Sequence, residues 1–170
     1  MRIGIDIDID DTLVSTSESF DEVRKKYNIN FYKDWKDEWT KDEMNFIFNN
    51  YLEEILLNAK FKENSIEIVN HLHDLGHELI IITARSNNYC KNMKEKTLNI
   101  LKEKGLRISQ VYFEQRKKSD LAKQLNIDLM VDDSKFVYDN MVKDNIDCIL
   151  FGDKIKTWYE VLEYIKEKEE

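Results

Sequence analysis

The sequence predicts an α/β fold: a Rossmann-like, three-layer core built on a parallel sheet, with a small helical cap inserted after the first strand. Three observations predict it. Short runs of β-branched and apolar residues recur along the chain and alternate with stretches of helical period, the order that parallel strands with crossover helices require. Several of these runs close on acidic or hydroxyl residues, the kind of side chain that open α/β sheets collect at their carboxyl ends. Between residues 15 and 60 the alternation stops, and only helical patterns occur. The chain therefore divides into a core, residues 1–14 and 61–170, and a cap, residues 15–60.

The first run is Ile3-Gly4-Ile5-Asp6-Ile7-Asp8-Ile9-Asp10-Asp11-Thr12-Leu13-Val14. Its isoleucines suit a pleated backbone. Bare charges at Asp6 and Asp8 do not belong inside a sheet, so the strand is expected to end near Asp8, with Asp8 and Asp10 projecting from its carboxyl end. Ser15-x-x-Glu18 then reads as a capping box, and Phe20, Val23 and Tyr27 give a helix over about 17–27. Residues 28–39 are aromatic and charged without a period. Thr40-x-x-Glu43 is a second capping box, followed by Met44, Ile47, Phe48, Tyr51, Leu52, Ile55 and Leu56 on one helical face.

In the core, Ile66, Ile68, Val69, Leu72 and Leu75 lead to Gly76, a helix stop. Glu78 to Thr83 is a buried strand. Met93, Leu98 and Leu101 mark a helix ending near Gly105. Strands follow at 109–113, 128–131 and 147–151, and helices at 119–125, 134–143 and 156–167.

Composition narrows the function. The chain has 170 residues, 42% hydrophobic and 35% charged, with net charge −8, which fits one globular domain with an insertion. An acidic chain disfavours extended nucleic-acid binding, which needs clustered Lys and Arg. A small phosphorylated substrate held locally by a metal remains compatible. Cys90 and Cys148 fit no metal spacing and read as free thiols of a reducing compartment. The first residues are not those of a secretory signal and no apolar run reaches membrane length, so a cytoplasmic protein without a membrane partner is expected. His71, His73 and His77 lack the partners that would complete a zinc site.

The acids carry the chemistry. Carboxylates as close as Asp8 and Asp10 repel unless a cation sits between them, and Mg²⁺ takes one or two carboxylates with water and phosphate. Thr83 closes the second strand. Lys117 and Lys118 precede the short helix at 119–125. Asp132 and Asp133 close the strand that follows. Asp8-x-Asp10-x-Thr12-Leu13, Thr83, the Lys117-Lys118 pair and Asp132-Asp133, in this order, resemble the four motifs of the haloacid dehalogenase superfamily of phosphotransferases.

The resemblance implies roles. Asp8 would be the nucleophile that forms an aspartyl-phosphate. Asp10 would be the general acid and base, and its backbone carbonyl would reach Mg²⁺. Thr83, Ala84 and Lys118 would hold phosphate oxygens, with Lys117 as the substitute for Lys118. Asp133 would bind the metal and Asp132 would brace the lysine and the metal shell; the reverse assignment stays open. The superfamily also implies a cap over the site, as at residues 15–60.

Within the superfamily, the helical cap, the Asp-Asp pair and Thr157 to Leu162 resemble the small 5′-nucleotidase and deoxyribonucleotidase branch. A (deoxy)nucleoside monophosphate is then the expected substrate. The chain departs from that branch with Thr83-Ala84-Arg85 where Thr-Ser-Pro is usual, and with Thr16 and Ser17 where a stacking aromatic is usual. A sugar or other small-metabolite phosphatase is the alternative, and a non-catalytic binding module the more distant one. Phe31, Tyr32, Trp35, Trp39, Phe46, Phe48 and Tyr51 serve either as base-stacking groups or as the core of the cap itself.

Overall fold

The computed structural model describes residues 2–170. In chain order the elements are β1 (Gly4–Ile7), α1 (Thr16–Lys26), α2 (Lys41–Leu57), α3 (Ser65–Asp74), β2 (Glu78–Ile82), α4 (Met93–Glu103), β3 (Gln110–Tyr112), α5 (Lys118–Gln124), β4 (Leu129–Asp132), α6 (Lys135–Lys143), β5 (Asp147–Leu150) and α7 (Trp158–Glu169). The strands form one parallel sheet in the order β3-β2-β1-β4-β5. The chain moves outward from β1 through β2 to β3, then returns to the other side of β1 for β4 and β5. The carboxyl ends of β1 and β4 therefore meet at a topological switch point, where such sheets open a crevice.

Register explains the alternation in β1. Ile5 lies opposite Leu79 and Leu129, and Ile7 opposite Ile81 and Val131. These odd positions face a cluster completed by Ile68, Val69 and Leu72 of α3 and by Trp158, Val161, Leu162 and Ile165 of α7. The other face carries Ile80, Ile82, Met130 and Cys148 under Ala122 of α5 and Val137 and Met141 of α6. Burial on both faces accounts for the continuous apolar runs of β2 and β4. Gly76 stops α3 at φ +93°, where a side chain would be strained.

Asp6 departs from the expectation that bare charges leave the strand. β1 ends at Ile7, yet Asp6 stays fully buried within it. Its Oδ1 accepts the Ile82 N–H at 2.9 Å, while Oδ2 has no partner. Burial drives its pKa well above the ordinary carboxylate value. The shift favours the protonated form of Asp6, which lowers the cost that a charge would incur there.

Residues 15–60 contain α1 and α2 and no strand. Their own cluster is built on Phe20, Val23, Ile47 and Ile55. Phe20 is its hub, with ring centroids of Phe31, Trp35 and Trp39 at 5.8, 5.7 and 5.4 Å. The segment leaves and re-enters the core at one point: Ser15 N donates to Lys60 O at 2.8 Å, and Lys62 N to Leu13 O at 2.9 Å. The Thr40–Glu43 capping box forms in both directions. The one expected at Ser15–Glu18 does not, because Ser15 makes no side-chain cap bond. Asp11 takes over instead: its carboxylate accepts Ser17 N at 2.8 Å and the Ser17 hydroxyl at 2.5 Å, placing a negative charge at the helix start.

Candidate active site

The site forms where β1, β2 and β4 end. After β1 the chain turns tightly, with Leu13 N and Val14 N both donating to Ile9 O at 2.9 and 3.0 Å. The turn is pinned from below, since Trp158 Nε1 donates to Thr12 O at 3.1 Å. Thr12 Oγ1 in turn lies 3.2 Å from Asp8 Oδ2 and 3.4 Å from Asp133 Oδ1. One threonine thereby ties the acid after β1 to the acid after β4.

Lys118, the first residue of α5, points into this floor. Its Nζ donates to Asp8 Oδ1 and to Asp132 Oδ2, each at 2.8 Å. Lys117 is exposed, so Lys118 is the member of the pair that the fold brings to the acids. Asp132 is 1% exposed, and both its oxygens are engaged, Oδ2 by Lys118 and Oδ1 by Ser134 N at 2.9 Å. The Asp133 side chain is 12% exposed and turns toward the cleft, where Oδ2 meets Lys36 Nζ at 2.9 Å.

Asp10 sits beside this group, not within it. Thr16 Oγ1 donates to its Oδ1 at 2.7 Å, and Arg85 approaches with two nitrogens, Nη2 at 2.8 Å from Oδ1 and Nε at 3.2 Å from Oδ2. Arg85 also donates to Thr97 Oγ1 at 3.2 Å and to Leu56 O at 3.3 Å, so it joins the loop after β2 to α4 and to the end of α2. Thr83 is buried at the end of β2, its Oγ1 accepting Arg85 N at 3.2 Å, and Ala84 is exposed to the cleft.

The electrostatics follow from burial and from these partners. Burial is the largest influence on Asp8 and pushes it up. Lys118 opposes the rise and Asp133 adds to it, leaving Asp8 at about 7. Asp132 is raised to about 6 by burial and by Asp8, against the pull of Lys118. Asp133 is raised as well, chiefly by burial. Burial alone would lower Lys118, but the charges of Asp8 and Asp132 outweigh it, and its pKa stands far above the ordinary lysine value. Asp10 goes the other way: burial raises it most, but Arg85 through charge and hydrogen bonding, with Thr16 and Lys118, outweighs burial and lowers its pKa.

Carboxylate oxygens of Asp8, Asp132 and Asp133 all lie within 4.8 Å of one another. This is an all-oxygen donor set of the kind hard divalent cations prefer. Burial pushes all three acids toward protonation, Lys118 and Lys36 offset part of that push, and a bound cation would reverse it. The residues present fit a metal ion.

Above the acids opens a cleft of about 760 Å³, the size of a small-molecule site. Asp8, Asp10, Thr83, Lys118, Asp132 and Asp133 line its floor, and Trp35, Lys36, Met44 and Phe48 of the inserted segment line its other wall. Of the aromatics named from the sequence, Trp35 and Phe48 reach the cleft. Phe31 and Trp39 pack in the core of the insertion, and Tyr32, 88% exposed, faces solvent. Tyr89, from the loop after β2, meets Phe48 edge to face with centroids 5.0 Å apart.

Four contributors escaped the sequence reading as site residues: Arg85, Lys36, Tyr89 and the Thr12 hydroxyl bridge. Thr12 and Arg85 lie within or beside the first and second motifs, whose spacing fixes their positions but not their partners. Lys36 and Tyr89 lie in stretches without period or motif, and nothing in their neighbourhood singles them out.

No protein-family model matches the chain, and no curated protein sequence does. Solved structures share its fold. A haloacid dehalogenase-like family hydrolase from Streptococcus pneumoniae superposes with a TM-score of 0.66 at 14% identity, covering 96% of this chain and 98% of its own. A haloacid dehalogenase family hydrolase from Deinococcus radiodurans R1, with bound phosphate and sodium, gives 0.64 at 12% identity, with 98% and 96% covered. A predicted phosphatase from Clostridium acetobutylicum gives 0.63 at 13% identity, with 98% and 99% covered. Over nearly its whole length, the chain has the Rossmann-like fold of the haloacid dehalogenase hydrolases.

Proposed function

We propose that the chain is a Mg²⁺-dependent phosphomonoester hydrolase that works through an aspartyl-phosphate on Asp8. The observation that carries this reading is the floor of the cleft. A buried Lys118 holds Asp8 and Asp132 at 2.8 Å each, and Asp133 faces the opening beside them. A binding module has no need for a buried carboxylate nucleophile, a buried lysine and a metal-competent acid cluster in one place.

The residues divide the work. An Asp8 carboxylate oxygen attacks phosphorus, the bond to the leaving oxygen breaks, and Asp10 supplies the proton that oxygen needs. Water then attacks the phosphoryl group, Asp10 takes its proton, and the acyl-phosphate P–O bond breaks to restore Asp8 and release inorganic phosphate. Thr83, Ala84 and Lys118 are the ligands for the phosphoryl oxygens. Asp8, the Asp10 carbonyl and Asp133 would hold Mg²⁺, which would supply the charge that neutralises the phosphate, and Asp132 positions Lys118. Arg85 keeps Asp10 as a carboxylate, which suits the water step. Proton donation in the first step requires Asp10 to leave Arg85 and take up a proton from solvent, which it then passes to the leaving oxygen.

Residues 15–60 act as a cap that closes the cleft and contacts the leaving group. Phe48, Trp35 and Tyr89 give that wall an aromatic surface, which supports a nucleoside monophosphate as substrate. The free thiols of Cys90 and Cys148 support a cytoplasmic setting. Among the described residues, no helix is long and apolar enough to cross a membrane.

The test is phosphate release from ribo- and deoxyribonucleoside monophosphates beside sugar phosphates, with Mg²⁺ and with EDTA. Mg²⁺-dependent release that prefers nucleotides and disappears in Asp8→Asn is the expected result. Preference for sugar phosphates keeps the mechanism and replaces the substrate. No release from any ester overturns the reading.

A further inference from the structure

Lys36 crosses the cleft. It belongs to the irregular stretch between α1 and α2, yet its Nζ lies 2.9 Å from Oδ2 of Asp133 on the core. The position is built. Asp37 N donates to Asp34 O at 3.1 Å and Asp34 N to Asp37 Oδ2 at 2.7 Å, closing a turn with Trp35 and Lys36 at its tip. Trp39 Nε1 fixes the turn by donating to Asp34 O at 2.9 Å. Trp35 packs its ring on Phe20 and Trp39 at 5.7 and 5.5 Å. The Lys36 backbone is held, while its ammonium rides on a flexible four-carbon stem and its side chain is 55% exposed.

Around that ammonium the charges are Asp133 first, then Asp11 and Asp8. The Asp133 carboxylate it holds belongs to the cluster that fits a divalent cation. Two cations at one carboxylate compete. A half-exposed ion pair is weak and gives way readily. Asp11 and Asp8 remain near the released ammonium, and a substrate phosphate on the floor of the same cleft would offer it a further anion.

We infer that Lys36 is a phosphate ligand delivered by the inserted segment, held by Asp133 and passed to the substrate phosphate when Asp133 engages a divalent cation. The inference rests on the hydrolase reading above and adds to it a residue that couples metal binding to closure over the substrate.

Calorimetric titration of wild type, Lys36→Met and Lys36→Arg tests it, first with Mg²⁺ alone and then with inorganic phosphate at saturating Mg²⁺. Lys36 is more than half exposed, so the variants keep the fold. Removing the competitor tightens Mg²⁺ binding in Lys36→Met by about two- to fivefold. Removing the phosphate ligand weakens phosphate binding by about tenfold or more, and Lys36→Arg restores it. Mg²⁺ affinity that is unchanged or lower in Lys36→Met overturns the inference, and so does unchanged phosphate affinity. If esters are hydrolysed while both titrations match wild type, the Lys36 inference fails alone. If the titrations shift as expected but no ester is hydrolysed, the hydrolase reading fails and Lys36 stands as an anion ligand.

Discussion

Arg85 grips Asp10 through two guanidinium nitrogens, with Nη2 2.8 Å from Oδ1 and Nε 3.2 Å from Oδ2. The same guanidinium reaches Leu56 O at the end of α2, so the acid–base group of the proposed mechanism is coupled to the inserted segment. Arg85→Gln leaves the mostly buried Asp10 charge without its partner. We expect a loss of about 2–3 kcal/mol in urea denaturation and a fall in kcat larger than any rise in KM. Arg85→Lys restores charge but not the two-nitrogen fit, and should recover part of the stability and less of kcat. A Gln variant with wild-type stability and kcat would remove Arg85 from the positioning of Asp10.

Metal binding should register in thermal melts without any turnover. A ligand that binds only the folded state adds about 2.7 kcal/mol at a hundredfold excess over its Kd. Mg²⁺ should therefore raise the Tm of the wild type, and EDTA should reverse the shift. Asp133→Asn should abolish the shift and leave the EDTA melt close to wild type. Asp132→Asn should lower the Tm in EDTA, because Asp132 pairs with Lys118 inside the protein. A shift lost in Asp132→Asn and retained in Asp133→Asn would reverse the roles of the two acids.

His77 predicts an acid-side loss of stability. Its ring is buried, and its Nδ1 accepts Ile3 N at 3.2 Å, which requires that nitrogen to be unprotonated. Burial holds its pKa below the ordinary value of 6.5, against the opposing charge of Glu169. A depressed basic group contributes stability that is present above the unfolded value and lost as pH falls below it. Between about pH 6.5 and 5 the raised acids Asp8 and Asp132 act in the opposite sense, so the His77 contribution is read as a difference: the Tm of His77→Gln should gain on that of the wild type as pH falls through this window. Identical profiles for the two proteins would exclude His77 as the source.

Phe20 predicts that the inserted segment loosens separately from the core. Phe20→Ala removes the hub of its aromatic cluster, a change that typically costs about 3–5 kcal/mol. Amides of α1 and α2 should exchange faster, while those of β1 and β4 keep wild-type protection. Equal loosening of the core strands would show that residues 15–60 are not a unit of their own.

The sheet was legible because its strands are buried on both faces and read as continuous Ile, Leu and Val runs. The floor acids were legible because Asp8 and Asp132-Asp133 close such runs, and a strand end points its side chains out of the packed layer. Asp6 shows the limit of that reasoning. A charge does leave the sheet, but a carboxyl group has a second option, a proton, and local sequence does not say which it takes. At Ser15 the capping pattern was present, but Asp11, held at φ +60° by the turn after β1, reached the helix start instead. Contacts such as Arg85 with Asp10, 75 residues apart, depend on which loops the sheet order brings together. The aromatics of residues 31–51 divide by the direction each ring faces, and a segment without period carries no such direction.

Ser15 N meets Lys60 O and Lys62 N meets Leu13 O where the inserted segment departs and returns, so the two stems are held together whatever lies between them. Joining ends that already touch costs entropy that grows only slowly with the length of the excursion. The segment is in effect an exchangeable cassette. Its length could change at that junction, provided the Leu56 carbonyl still meets Arg85.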